Sequence, residues 1–252
     1  MTAEPATFAV AAAAALIAGV SKGGFGGGVG FVSTMLLALI APPAVAVAVM
    51  LPILILIDQA SMAAYWRRWS RAAIRAALPA AAVGIGIGAL LFGAVDADAL
   101  RLALGLIALA FLAFQLARDR GWAPPSEGGR PARAAIWGGA AGLTSTLSHA
   151  GGPPVAIYLL GEKLDKTTYQ ASSVLLFWAI NLMKVGPYAA LGVFSEETLI
   201  LSTAAAPAAL IGVVLGIWLH KRAPERIYLR LMAALLFVTG LKLVWDGASG
   251  LL

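Results

Sequence analysis

Four ionisable side chains stand deep inside apolar runs of this chain: Lys22, Asp58, His149 and Lys184. A charge held at membrane depth is costly, so it usually faces a partner or a water-filled cavity and marks the path of a substrate or ion. Lys184 is the most deeply placed, with Leu-Leu-Phe-Trp-Ala-Ile before it, Tyr-Ala-Ala-Leu-Gly-Val after it, and Asn181 one helical turn earlier on the same face. It is either a ligand-binding ammonium facing a cavity or half of a structural ion pair. Asp58, beside Gln59 in the equivalent run of the first half, is its natural partner or a proton carrier, or else reaches the Arg67-Arg68 loop.

Lys22 and His149 lie in two glycine-laced interruptions, Gly19-Val-Ser-Lys-Gly-Gly-Phe-Gly-Gly-Gly-Val-Gly30 and Gly142-Leu-Thr-Ser-Thr-Leu-Ser-His-Ala-Gly-Gly-Pro-Pro154. In the first, Gly23, Gly24, Gly26, Gly27 and Gly28 would let an anion approach backbone N–H groups, with Lys22 adding charge. The alternative is that Lys22 snorkels to the nearer interface. In the second, His149 either accepts a coupling proton or donates to an anion, or is a structural hydrogen bonder. Thr144, Ser145, Thr146 and Ser148 either offer hydroxyls to a ligand or tie the tip together, and Gly151 and Gly152 open the backbone there. The substrate-binding candidates are therefore Lys22, the five glycines after it, Thr144, Ser148, His149, Gly151, Gly152, Asn181 and Lys184; Asp58 and His149 are the proton-coupling candidates. No Gly-x-Ser-x-Gly or His-Glu-x-x-His motif, no P-loop and no cysteine is present, and the chain has 2 histidines. No catalytic group, metal or cofactor is expected.

The elements that must hold these residues are membrane helices. Hydrophobic residues make up 61% of the chain and charged ones 12%, with a mean hydropathy of +0.89, against roughly 25% charged in soluble domains. Runs of about 17–25 apolar residues, enough to cross ~30 Å of hydrocarbon, fall at 44–65, 76–95, 99–117, 168–193, 198–219 and 227–245. The segments flanking the interruptions, 6–21 with 29–41 and 134–148 with 153–161, are shorter and read as re-entrant or broken helical hairpins, or else as two slightly short spans joined by turns. The N-terminus lacks the basic region of a signal peptide, so the first apolar stretch is expected to be retained.

The halves match. Pro79, Gly84 and Gly88 reappear 128 residues later as Pro207, Gly212 and Gly216, and Leu100-Arg-Leu102 is answered by Leu229-Arg-Leu231. The fold expected is an all-α polytopic membrane protein of two repeats, 1–118 and 134–252, joined by a linker at 119–133, with about eight membrane segments. Each repeat is a hairpin (6–41, 134–161) followed by three spans. An odd number of crossings inverts the second repeat. Paired Gly/Pro-interrupted segments in two halves are a pointer to a transporter's binding site. On this scheme 14 of the 18 Lys and Arg residues fall in loops on one face, which the positive-inside rule makes cytoplasmic, with both termini outside. Trp66, Trp69, Trp218 and Trp245 suit interfacial belts, and Arg101, Arg230 and Lys242 suit anchors at span ends. The net charge of +6 then signals orientation and lipid contact, with no nucleic-acid partner. A homodimer is left open.

Ala18-Gly-Val-Ser-Lys-Gly-Gly-Phe-Gly-Gly-Gly28, followed by Pro42-Pro43 and the span into Arg67-Arg68, with the duplicate Ala141 to Pro154, resembles the TauE/SafE family of sulfite and organosulfonate exporters. The resemblance covers nearly the whole chain and implies a plasma-membrane permease for sulfur-containing anions such as sulfite, thiosulfate or a sulfonate. The residues themselves also favour an anion, since basic groups outnumber carboxylates at the interruptions. An inside-negative potential suffices to drive export, a proton gradient could add to it, and a passive anion channel or an importing permease is the alternative. An intramembrane enzyme lacks a nucleophile, base and metal to work with.

Overall fold

In the computed structural model, residues 5–25, 30–121, 130–222 and 225–251 are described, and among them there is no strand. Ten helices follow in order: α1 (Pro5–Gly24), α2 (Val32–Ala38), α3 (Pro43–Ala64), α4 (Arg71–Ala94), α5 (Ala97–Asp119), α6 (Arg130–Ser148), α7 (Gly152–Gly161), α8 (Lys166–Ala190), α9 (Glu196–Arg222) and α10 (Glu225–Leu251). The protein is an all-helical polytopic membrane protein. Among the described residues seven helices are long and apolar enough to cross a membrane, and α1 is one of them. This corrects the sequence reading, which gave six full spans and ended the first segment at residue 21. The last turn of α1 runs on through Lys22, Gly23 and Gly24, so these residues are helical and not part of an unwound nest. Helix propensity at two glycines is poor; contact with α9, described below, offsets it. Gly26, Gly27 and Gly28 lie outside the described residues.

The second interruption is a true break. His149 adopts φ 56°, the left-handed region that is costly for a residue with a Cβ, and α6 stops there. Pro153 and Pro154 then sit in the first turn of α7, where their missing N–H groups are not needed. At 10 residues α7 is too short to cross. The base of this hairpin is pinned by Glu162, which pairs with Arg130 at 2.7 Å and with Arg133 at 3.2 Å. Next along the chain, Asp165 caps α8 by accepting from the N–H groups of Thr167 and Thr168. The Thr168 hydroxyl beside it, and then those N–H groups, hold its carboxyl below the usual carboxylate range.

Glycines set the packing. α1 lies along α9, α6 along α4, and α5 along α10. A Cβ on Gly19 would run into the carbonyl of Ala209, one on Gly23 would lie 2.6 Å from that of Val213, and one on Gly24 would meet that of Gly216. The duplicated glycines face the same crossings from the other side: Gly212 against Leu16 and Gly216 against Val20, Gly84 against Gly139 and Gly88 against Thr146. Small residues that let backbones touch are the usual means of holding membrane helices together, because lipid supplies no hydrophobic driving force between them. The order of these contacts makes α1 parallel to α9 and α6 parallel to α4. By the same test α5 and α10 are antiparallel, since Gly105 faces Gly240 while Gly247 faces Leu102 and Asp98.

Three apolar cores are present among the described residues. The largest is built mainly from α1, α2, α3, α5, α9 and α10, the second from α4, α6, α7 and α8, and a smaller third from Val47 and Leu51 of α3, Phe92 of α4, Leu100 of α5 and Tyr188 of α8. Outward faces carry Leu90, Val214 and Trp245, at 77%, 67% and 73% exposure, as lipid-facing surfaces do. Trp66 and Trp218 are exposed as well, and Trp69 packs edge-on against Trp66. Arg101 pairs with Asp98, and Lys242 with Asp246 one turn on. α3 and α8 pack against each other where the two larger cores meet; buried Asp58 lies on α3 and buried Lys184 on α8, with Lys22 reaching them from α1 and His149 from the break after α6.

Candidate functional site

The structure gathers all four membrane-depth ionisable residues into one cluster. Asp58, on α3, has no solvent exposure. Lys22 Nζ donates to both of its carboxylate oxygens, at 2.7 and 2.8 Å, and Asn181 Nδ2 donates to Oδ2 at 2.7 Å. The Lys22 ammonium also stands 4.8 Å from the centre of the Phe177 ring, within cation–π range. Neither Lys184 nor the Arg67-Arg68 loop is the partner of Asp58. Lys22 does not snorkel either: it is 5% exposed and pointed inward.

Lys184, one turn after Asn181 on α8, is fully buried. Its Nζ donates to Ser145 O at 3.1 Å and to Ser145 Oγ at 2.9 Å, and lies 2.6 Å from His149 Nδ1. As an ammonium it therefore has three acceptors for three protons, none of them a carboxylate. His149 Nε2 faces the Val47 carbonyl at 3.0 Å, and a carbonyl can only accept, so Nε2 carries the hydrogen and Nδ1 is left to take the Lys184 proton. The left-handed backbone at His149 turns its ring from the end of α6 towards α3. In each half, then, the residue at the end of the first helix bonds an ionisable residue of a long central helix: Lys22 with Asp58, His149 with Lys184. Asn181, one turn before Lys184 on α8, donates to the first pair at Asp58. Two amines face one carboxylate.

The other candidates are placed differently. Thr144 donates to Ala140 O at 2.8 Å and to Ala150 O at 3.0 Å, and Ser148 donates to Thr144 O at 3.0 Å. Both close the break on itself. Gly151 packs on Ala141 and Ser145, where an added Cβ would lie 3.0 Å from each, and Gly152 is the buried first residue of α7. Gly23 and Gly24 belong to the α9 crossing, although the Gly23 carbonyl also accepts from Tyr65 Oη at 3.2 Å. Residues not singled out beforehand include Gln170, whose amide donates to Lys22 O at 3.0 Å, and Tyr188, whose hydroxyl donates to Thr146 O at 2.5 Å. A glutamine one turn into an otherwise apolar span was the available signal for the first. Ser21, Thr34 and Ser61 are fully buried, with hydroxyls that have no hydrogen-bond partner among the described residues.

Against this geometry, the family described as Sulfite exporter TauE/SafE matches residues 11–243. The chain belongs to the TauE/SafE family. It is a membrane transporter, and the match spans both interruptions, both buried pairs and the α1–α9 and α4–α6 crossings. Comparison with curated proteins and with solved structures gave no match. Among the described residues, no group of three or more His, Cys, Asp or Glu is placed to hold a metal ion.

Proposed function

We propose that the chain is a secondary transporter that exports a small sulfur-containing oxyanion, sulfite or an organosulfonate, across the plasma membrane. The cluster of Lys22, Asp58, Asn181, His149 and Lys184 is its binding site. The observation that carries this reading is the buried excess of amine over carboxylate: Lys184 has neutral acceptors only. A buried ammonium without a counter-ion is stabilised by an arriving anion more than by any rearrangement of neutral partners. An inside-negative potential drives an anion outward by about 2.3 kcal/mol per charge per 100 mV. Because Asp58 and Lys184 have no solvent exposure, the anion reaches them only when helices move, as in a transport cycle and not in an open pore.

Flux of radiolabelled sulfite, thiosulfate, sulfoacetate and taurine into proteoliposomes tests this. Saturable flux of at least one of them, accelerated by a potential that draws anions across, is expected. Flux that rises linearly with concentration would make the protein a channel, and none at all would remove sulfur oxyanions from consideration.

The inverted-repeat arrangement, with the basic loops cytoplasmic and both termini outside, is part of the same proposal. It is supported by the antiparallel crossing of the corresponding helices α5 and α10 and by the exchange of partners between halves, α1 with α9 and α6 with α4. Single cysteines can be introduced cleanly because the chain has none. In intact cells an impermeant thiol reagent should label Glu196→Cys and spare Lys163→Cys, both exposed positions. The reverse pattern overturns the orientation.

A further inference from the structure

The carboxylate of Asp58 already sits as a bound oxyanion would. Both oxygens are taken, three N–H bonds reach them, and the donors are the ammonium and amide proposed above to hold the substrate. We propose that Asp58 is a built-in competitor for the transported anion, and that the anion binds together with one proton, which ends on Asp58. This rests on the transport reading and specifies its coupling.

An anion that engages Lys22 and Asn181 strips Asp58 of its ammonium and amide donors, and it brings a second negative charge beside a buried carboxylate. Such a group neutralises by taking a proton. Among the described residues no further basic group is left to replace those donors. From α1 the titratable group facing it is Lys22, now engaged. From α8 and the α6 break come Lys184 and His149, already committed to each other and to Ser145. α2 and α9 bring hydroxyls only among their described buried residues (Ser33, Thr34, Thr198 and Ser202), and α5 brings Leu100, Leu104, Ala108 and Phe111. Among the described residues the other enclosed carboxylate, Glu162, is held by Arg130 and Arg133 at the base of the α6–α7 hairpin.

The proton comes from water on the side to which the site is open. It forms an O–H bond on one Asp58 oxygen and leaves by the same route when the anion is released. Lys22 is not its source, because a neutral amine there would forfeit the anion. A protonated Asp58 can turn its O–H to the anion as a further donor, and the unpartnered hydroxyl of Ser61, one turn along the same helix, is free to join it. Charge then sorts the substrates. A dianion such as thiosulfate crosses with one net negative charge and is driven outward by the membrane potential, whereas a singly charged sulfonate crosses electrically silent.

The test uses the purified full-length chain in detergent, weakly buffered near neutral pH with an indicator dye, and thiosulfate or sulfoacetate as the added anion. Saturating anion should draw about one proton per chain out of solution, and apparent affinity should fall roughly tenfold per unit rise in pH above the Asp58 transition. Asp58→Asn keeps the shape without the charge, so it should bind the anion with no proton uptake and no pH dependence. Binding by the unaltered protein without proton uptake overturns the proposal and leaves the transport reading standing. So does undiminished uptake in Asp58→Asn, which would put the proton on Lys184 and His149. Failure of the unaltered protein to bind any of the anions tried by flux overturns both.

Discussion

Gly142→Leu is expected to leave little folded protein in the membrane. Its missing side chain faces the backbone of α4, where an added Cβ would run into the carbonyl of Ala81 and lie 2.9 Å from the amide nitrogen of Ile85. Neither can swing aside as a side chain can, so the helices must separate along their length. Ser145 and His149 lie within two turns of that point and would be carried away from Lys184. Overpacking in a core ordinarily costs ~1–3 kcal/mol; a backbone collision at a crossing should exceed it. Gly212→Leu should fail equally, because it meets the carbonyl of Leu16 on α1 in the same manner. Gly186→Leu is the control. It stands on α8 with open space around it and should keep a near-normal melting midpoint in detergent. Equal midpoints for Gly142→Leu and Gly186→Leu would mean that these crossings do not hold the bundle together.

The same glycines show how far the chain could be read before it was folded. The repeat of Pro79, Gly84 and Gly88 as Pro207, Gly212 and Gly216 was visible, and so was the helical class, because both are written in local pattern and hydropathy. What the repeated glycines are for was not. A glycine run signals an open anion nest and a close helix crossing equally well, and at Gly23 and Gly24 the crossing with α9 prevails. The four buried ionisable residues stood out by their apolar flanks alone. Their pairing did not, since Lys22 and Asp58 are 36 residues apart and meet only because α1 and α3 share a face near one depth. Asp58 and Lys184 looked like partners on charge alone. Helix register instead gives Asp58 to Lys22 and Asn181, and gives Lys184 to the break after α6. The left-handed turn at His149 that makes this last contact has no signature of its own beyond the glycines and prolines that follow it.

Lys184→Met should cost affinity far more than stability. The substitution keeps the length of the side chain and removes an ammonium whose burial costs at least ~2.5 kcal/mol on insertion scales. Set against that relief is the loss of donation to Ser145 O, Ser145 Oγ and His149 Nδ1, at about 1.5–3 kcal/mol for each hydrogen bond from a charged group. The two oppose each other, so the melting midpoint should fall by less than the lost bonds alone would take from it. Substrate binding has no such compensation. With Lys184 gone the cluster is a balanced Lys22–Asp58 pair with no surplus amine, and the anion must be held without the charge that favoured it, a loss expected to reach about 100-fold, or ~2.7 kcal/mol. Lys184→Arg restores the charge on a longer, forked group that cannot satisfy three acceptors spaced for one nitrogen, and should recover part of the affinity. Lys22→Met should show a similar loss of binding if both amines hold the same anion. An unchanged affinity in Lys184→Met, with a lowered melting midpoint, would make Lys184 a structural strut for the break after α6 and leave anion binding to Lys22 and Asn181.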